Sequence, residues 1–399
     1  MKRFKRVFVI VMDSVGIGAM SDADKFNDKG ANTLVHVSLA NNGLNIPNMN
    51  KLGLNDLDSN IKGTFKVDHP HSYCLKLNEA SNGKDTMTGH WEMMGILTSK
   101  PFKTFTDTGF PQDLINELEE KTGRKIVGNC AASGTEIIKQ YGEHQMKTGD
   151  LIVYTSSDSV LQIAAHEEII PVSQLYHYCE IAREICLRPE YLLGRIIARP
   201  YVGTSKDNFK RTSNRHDYAL SPTGRTYMDI LKDNNFSTIC VGKISDIFNG
   251  VGVGEKIKTV SNKDGMEKTI QVLDRDFTGL CFVNLVEFDS EYGHRRNPVG
   301  YAKCLEEFDE QLGEFISKMN EDDLLMVTAD HGNDPIHSGS DHTREMVPLL
   351  IYSKSLENGR EIETRNSFGY IGRTIIENFS LKPENQIGEV INEVLNDEK

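Results

Sequence analysis

Val7-Phe8-Val9-Ile10-Val11-Met12 is an unbroken apolar run that stops at Asp13-Ser14-Val15-Gly16-Ile17-Gly18. A short run that is apolar on both faces reads as a buried strand, and its glycine-bearing end as a tight turn. Similar runs recur late in the chain, at Ser237–Val241, Leu280–Phe288, Asp323–Thr328 and Pro348–Tyr352. Between them, apolar residues return at helical spacing in Tyr227–Asn234, Met266–Asp274, Val299–Met319 and Phe368–Asn378. Strands alternating with amphipathic helices predict an α/β fold: a mostly parallel central sheet with flanking helices. Ligands of such sheets collect at the carboxyl ends of the strands.

The middle of the chain has a different rhythm. Ile126–Val127, Leu151–Tyr154, Ile169–Pro171 and Gly194–Ala198 read as short strands, and Gln174–Leu187 as a helix. This predicts an inserted α+β domain over 99–219, with a core built from 1–98 and 220–399. The first strand is then cut off in sequence from its sheet partners. No internal repeat or low-complexity tract interrupts this organisation.

The chain has 399 residues, 45 Lys and Arg against 58 Asp and Glu, and a formal charge of −13. That balance argues against a grip on nucleic acid or on an anionic membrane. It also means that an anionic substrate would need a local positive field. The seven cysteines are scattered, with no C-x-x-C pair, as expected of free thiols in a reducing cytoplasm. The basic start, Met1 to Arg6, is followed by too short an apolar run for an export signal. No stretch approaches the roughly 18 to 20 apolar residues of a membrane span.

Three predicted strands end on metal-ligand residue types. Asp13 follows the first. Glu287-Phe288-Asp289-Ser290-Glu291-Tyr292-Gly293-His294 follows another, and Thr328-Ala329-Asp330-His331-Gly332-Asn333-Asp334 a third. Ser340-Asp341-His342-Thr343-Arg344 then lies in a polar loop. Each piece alone reads as readily as turn capping. Together, Asp13, Asp289, Asp330, His294, His331 and His342 make a mixed oxygen and nitrogen set. That mixture suits Mn²⁺ or Zn²⁺ and not Ca²⁺. Six ligands are too many for one tetrahedral site and enough for two metals, a recurrent arrangement in phosphoryl transfer. Two divalent cations would outweigh the three carboxylates by about one charge.

A nucleophile is offered by Gly83-Lys84-Asp85-Thr86-Met87-Thr88-Gly89-His90-Trp91-Glu92. Two threonines sit where a helix begins, and free amides at a helix start favour a phosphate. The plainer reading is an N-cap, either Thr88 with Glu92 nearby or Asp85 with Thr88. Residue pattern alone leaves Thr86 and Thr88 equal.

Taken in order, the Asp13, Thr86, Asp289 and Asp330–His342 segments resemble the prokaryotic phosphopentomutases of the alkaline phosphatase superfamily, nearly end to end. Related cofactor-independent phosphoglycerate mutases place a serine in an Asn-Ser-x-x-Gly-His setting. Aligning Gly89-His90 with that Gly-His puts the nucleophile at Thr86. The resemblance implies one metal on Asp13, Asp330 and His331, and a second on Asp289, His294 and His342, with Mn²⁺ typical. It implies interconversion of ribose 1-phosphate, or its 2-deoxy analogue, with the 5-phosphate. A sugar bisphosphate would be the activating primer. The insertion would be a cap over the metals. Its basic run of Arg195, Arg199, Lys206, Lys210, Arg211 and Arg215 would face the second phosphate. Asp158 and Arg195 in the insertion, and Lys243 in Val241-Gly242-Lys243-Ile244, are the substrate contacts that the resemblance implies, and Arg211 of the basic run is expected to join them. A cytoplasmic monomer is expected, with a pentose phosphate as its partner.

A metal-dependent phosphatase or phosphodiesterase on the same core is the alternative. Gly250-Val251-Gly252-Val253-Gly254 lacks a nucleotide-binding pattern and reads as a turn. His166-Glu167-Glu168 reads as a surface or structural feature rather than as a ligand.

Overall fold

The computed structural model describes residues 3–156 and 158–397. Its strands, in chain order, are β1 (Arg6–Met12), β2 (Ser72–Leu77), β3 (Ile126–Ala131), β4 (Leu151–Thr155), β5 (Val160–His166), β6 (Arg195–Val202), β7 (Lys210–Arg211), β8 (His216–Ala219), β9 (Ser237–Val241), β10 (Glu255–Ile257), β11 (Gly279–Leu285), β12 (Asp323–Thr328) and β13 (Val347–Tyr352). Two compact units result. One joins the chain up to Pro101 with everything from Ser221, and Phe102–Leu220 forms the other.

The first unit is a seven-stranded sheet in the order β10-β9-β11-β1-β12-β13-β2. β1 lies at its centre because all seven of its residues are buried and apolar or, at Arg6, paired. It runs parallel to β11 and β12, both distant in sequence. β9 and β10 extend the parallel region, while β13 and β2 close the other side antiparallel. Arg6 and Asp323 meet at the amino ends of β1 and β12, with Nε–Oδ1 and Nη2–Oδ2 both at 2.7 Å. This bidentate pair fixes the register at the end of the sheet away from the ligand side.

Helices cover this sheet, each for a local reason. Pro298–Lys318 starts at Pro298 with Asn297 accepting from the Gly300 amide. It buries Tyr301, Leu305, Phe308, Leu312 and Phe315, the i, i+3/i+4 stripe of a packed helix. Among the described residues no helix is long and apolar enough to cross a membrane.

The second unit has the strand order β3-β4-β5-β6-β7, with β8 also on β6. One face packs against helices Gln112–Thr122 and Val172–Ile185 through Leu114, Leu118, Leu175, Ala182 and Ile196. The other face meets helix Gly134–Thr148 through Ile137, Ile138, Tyr154 and Tyr201. One expectation fails here. Ile169–Pro171 is a turn and the cap of helix Val172–Ile185, and the strand lies earlier, at β5. Pro171 sets an extended geometry that starts the helix, and Ile170 is buried as an anchor rather than as a ladder residue. His166 is structural: its Nε2 lies 2.7 Å from the Gly203 carbonyl. Six of the seven cysteines are buried and all are free thiols.

Candidate active site

Four parallel strands of the first unit deliver side chains at their carboxyl ends. Asp13 follows β1, Lys243 follows β9, Asp289 follows β11 and Asp330-His331 follow β12. Ser14 takes a left-handed backbone, φ 72°, directly after Asp13. This uncommon conformation aims its amide at Asp330 Oδ1, 3.0 Å away. After β11 the chain winds into a π-helical turn, Phe288–Gly293, a form that recurs at functional sites. That turn brings His294 back onto Asp289, Nε2 to Oδ2 3.2 Å. Gly332 and Thr343 pair as an antiparallel bridge, so His342 returns beside His331 and their rings stack at 4.0 Å.

Thr86 opens the helix Thr86–Met93. Asp85 caps it by accepting the Thr88 amide at 3.0 Å, and Thr88 Oγ1 donates to the same carboxylate at 2.6 Å. Thr88 is buried and occupied. Thr86 is partly exposed, with its Oγ1 3.1 Å from His331 Nε2. Gly89 explains how close the helix comes: a Cβ there would lie 2.1 Å from the Asp330 carbonyl oxygen.

The three candidate histidines are each held through Nδ1. His294 Nδ1 faces the Ser340 carbonyl at 3.1 Å, His331 Nδ1 that of Gly332 at 3.0 Å, and His342 Nδ1 that of Lys84 at 3.0 Å. A carbonyl can only accept, so each Nδ1 carries the proton and each Nε2 offers a lone pair. The Nε2 atoms of His294 and His342 nevertheless lie 3.0 Å apart. Two lone pairs at that distance make sense around a shared cation. Two of the three carboxylates are held by asparagine side chains. Asn284 Nδ2 holds Asp13 Oδ2 at 2.7 Å, and Asn333 Nδ2 holds Asp289 Oδ1 at 2.8 Å. Asp13 Oδ1 and Asp330 Oδ2 are buried with no hydrogen-bond partner. Ligand atoms of Asp13, Asp330 and His331 fall within 4.8 Å of one another, as do those of Asp289, His331 and His342. His342 Nε2 is also 3.4 Å from Asp289 Oδ1. Orphaned oxygens, inward lone pairs and an oxygen–nitrogen donor set fit a pair of divalent cations.

The charges of the bare cluster are strongly coupled. Burial raises the Asp13 carboxyl, and the Asp330 charge raises it further. Burial also acts to raise Asp289, but the His342 and His294 imidazoles outweigh it and hold Asp289 well below its usual range. Burial acts to lower His331, yet Asp330 and Asp13 carry it well above an ordinary histidine. The packed acids thus favour positive charge at this place, the field that a divalent cation would meet.

Several supporting residues were not singled out by their sequence pattern. His90 is fully buried, with Nδ1 2.8 Å from the Thr86 carbonyl and 3.2 Å from Asp330 Oδ2. Asn284 carried a signal, being the one polar residue in β11. Arg296 Nη1 steadies Asn333 Oδ1 at 2.7 Å. Buried Arg344 ties Glu79 (2.8 Å) to the carbonyls of Ser81 and Gly83, fixing the approach to Thr86. Glu92 accepts the Ala80 and Ser81 amides on the same stretch.

The remaining predicted residues divide between the units. Lys243 is exposed in the first, ahead of the short helix Ile244–Ile247. In the second, Arg195 meets Asp158 at 3.4 Å and Asp217 at 3.8 Å. Arg211 is exposed on β7.

A sequence profile of the Metalloenzyme superfamily matches residues 5–383. The chain is 58% identical to a phosphopentomutase of Clostridium perfringens over 392 residues, 98% of this chain and 99% of that protein. The chain belongs to the phosphopentomutase family. A family member from Clostridium beijerinckii is 57% identical over 392 residues, and one from Clostridium tetani 56% over 398. As a family member it is an isomerase that moves a phosphoryl group, and its superfamily is one of metal-dependent enzymes.

Proposed function

We propose that the chain interconverts α-D-ribose 1-phosphate, or the 2-deoxy sugar, with the 5-phosphate, and that Thr86 carries the phosphoryl group in transit. The observation that carries this reading is the contrast between the two threonines. Thr86 Oγ1 lies partly exposed at His331 Nε2, whereas Thr88 Oγ1 is committed to Asp85. In this reading Asp13, Asp330 and His331 hold one Mn²⁺ and Asp289, His294 and His342 the other, and the bound pair supplies charge neutralisation for phosphoryl oxygens.

A sugar bisphosphate first loads Thr86. The free hydroxyl of a bound pentose phosphate then attacks that phosphorus. A sugar O–P bond forms, the Oγ1–P bond breaks, and the hydroxyl proton ends on Thr86 Oγ1. The resulting 1,5-bisphosphate gives its other phosphate back to Thr86 by the reverse exchange. A phosphoryl group on Thr86 sits at the first turn of its helix, where amides favour an anion. His90 holds the Thr86 carbonyl and so the geometry of that turn. The inserted segment is assigned the role of cap, excluding water that would otherwise hydrolyse the phosphoenzyme. Asp158, Arg195, Arg211 and Lys243 are assigned to the sugar phosphate. The enzyme acts as a cytoplasmic monomer in this reading.

Incubation of ribose 1-phosphate with enzyme and Mn²⁺, with and without a 1,5-bisphosphate primer, tests it. Acid-stable ribose 5-phosphate as main product, enhanced by primer, is expected. Free phosphate as main product would move the assignment to a phosphatase.

A further inference from the structure

The three residues ahead of Thr86 are all pinned. The Gly83 carbonyl accepts from Arg344 Nη1, the Lys84 carbonyl faces His342 Nδ1 at 3.0 Å, and Asp85 caps the helix that Thr86 opens. Lys84 acts on His342 twice. Its Nζ lies 3.2 Å from Asp341 Oδ2, and Asp341 Oδ1 accepts the His342 amide at 2.8 Å. The Lys84 carbonyl thus holds the His342 ring, and the Lys84 ammonium holds the His342 main chain through Asp341.

The lysine is itself anchored from behind. Its Nζ donates to Asp28 Oδ2 at 2.9 Å. Asp28 is buried, and the same oxygen accepts the Arg344 amide at 2.8 Å. The ammonium also lies 5.9 Å from the centre of the Phe26 ring. An exposed lysine pair is loose and worth little, but only 16% of this side chain is exposed and two carboxylates engage it. Coulomb's law alone gives Lys84 the wrong sign for this place, since an ammonium near a cation site repels the cation. Geometry gives the reason for it. His342 Nε2 lies 3.0 Å from His294 Nε2 and 3.4 Å from Asp289 Oδ1, a spacing that a turned imidazole would lose.

We propose that Lys84 is a positioning residue of the metal centre, clasping His342 at its ring and at its main chain so that Nε2 stays aimed at the second cation. Outer partners of this kind orient a ligand without touching the metal. The inference rests on the proposed ligation by His342, and it adds a role for the residue two before the nucleophile.

Mn²⁺ is titrated calorimetrically into the metal-free full-length chain. Two sites are expected in the wild type. In Lys84→Met, which keeps the carbonyl and most of the stem, one of them is expected to bind about 10- to 100-fold more weakly. Asp341→Ala opens the same clasp, so its loss and that of Lys84→Met do not add in the double variant. Unchanged or tighter binding in Lys84→Met, the outcome of charge removal alone, overturns the proposal, and so do losses that add. Circular dichroism checks folding. Should Lys84→Met not fold, Asp341→Ala decides, because the Asp341 side chain is 58% exposed. Weakening confined to one site then supports the clasp; unchanged affinity, or equal loss at both sites, overturns it. A wild type that takes up fewer than two Mn²⁺ overturns the ligand assignment as well, whereas two-site binding indifferent to Lys84→Met overturns the role of Lys84 alone.

Discussion

Thr86 and Thr88 are two residues apart, and their surroundings separate them. Thr88 closes the cap of its own helix, whereas Thr86 presents its hydroxyl to the acid and imidazole cluster. Thr86→Ala is expected to lower mutase turnover by at least about 1,000-fold while Mn²⁺ binding, measured by calorimetry, persists. Thr88→Ala keeps a phosphorylatable Thr86 and loses about 1 kcal/mol of stability in denaturant titration. The neutral amides that hold the carboxylates matter at the same scale. Asn284 fixes Asp13 Oδ2, which leaves Oδ1 to face His331 Nε2 at 3.4 Å. Asn284→Ala is expected to weaken Mn²⁺ binding about 10- to 100-fold; an unchanged affinity would show that Asp13 needs no such support.

Among the elements, β1 and the helix Thr86–Met93 decide the site. Gly89 allows that helix to lie on the end of β12, where any Cβ would strike the Asp330 carbonyl. Gly89→Ala should displace Thr86 by a fraction of an ångström to about 1 Å and cost about 100-fold in kcat with the fold retained. Melting curves and steady-state kinetics on one sample check both halves. The parallel region was legible in the sequence because its strands are buried on both faces and so read as continuous apolar runs, as Val7–Met12 does. The metal-type residues were legible because they stop those runs. Other features left no such mark. β3 mixes exposed and half-buried residues, and Ile169-Ile170 imitates a strand while serving as a turn before Pro171. His90 looks like any helical histidine until tertiary contact sets it between Thr86 and Asp330. The pairing of Arg195 with Asp158, while Arg199 meets Gln162 instead, depends on strand register, which no local pattern encodes.

Across the whole molecule, a charge of −13 coexists with two places of opposite character. Three of the acids converge in the first unit, and two of them, Asp13 and Asp330, keep a buried oxygen with no hydrogen-bond partner among the described residues. In the second unit Arg215 and Arg195 are paired with acids, whereas among the described residues Arg199 and Arg211 form no ion pair with a carboxylate. Bulk charge is screened beyond roughly 8–10 Å at physiological salt, so these local fields govern an anionic substrate. Metal binding to the acid cluster should be linked to folding. Mn²⁺ added to chelated protein at about 100 times its Kd should stabilise it by about 2.7 kcal/mol, read as a rise in Tm. An unchanged Tm would mean that Mn²⁺ does not bind the folded cluster in preference to the unfolded chain. Between the two sugar positions the phosphoryl group rests on Thr86 in the proposed cycle. The direct measurement is peptide mapping by mass spectrometry of enzyme quenched after exposure to ribose 1,5-bisphosphate and Mn²⁺. One phosphate on Thr86 is the predicted result; phosphate on Thr88 or another side chain, or an unmodified chain during turnover, would contradict it.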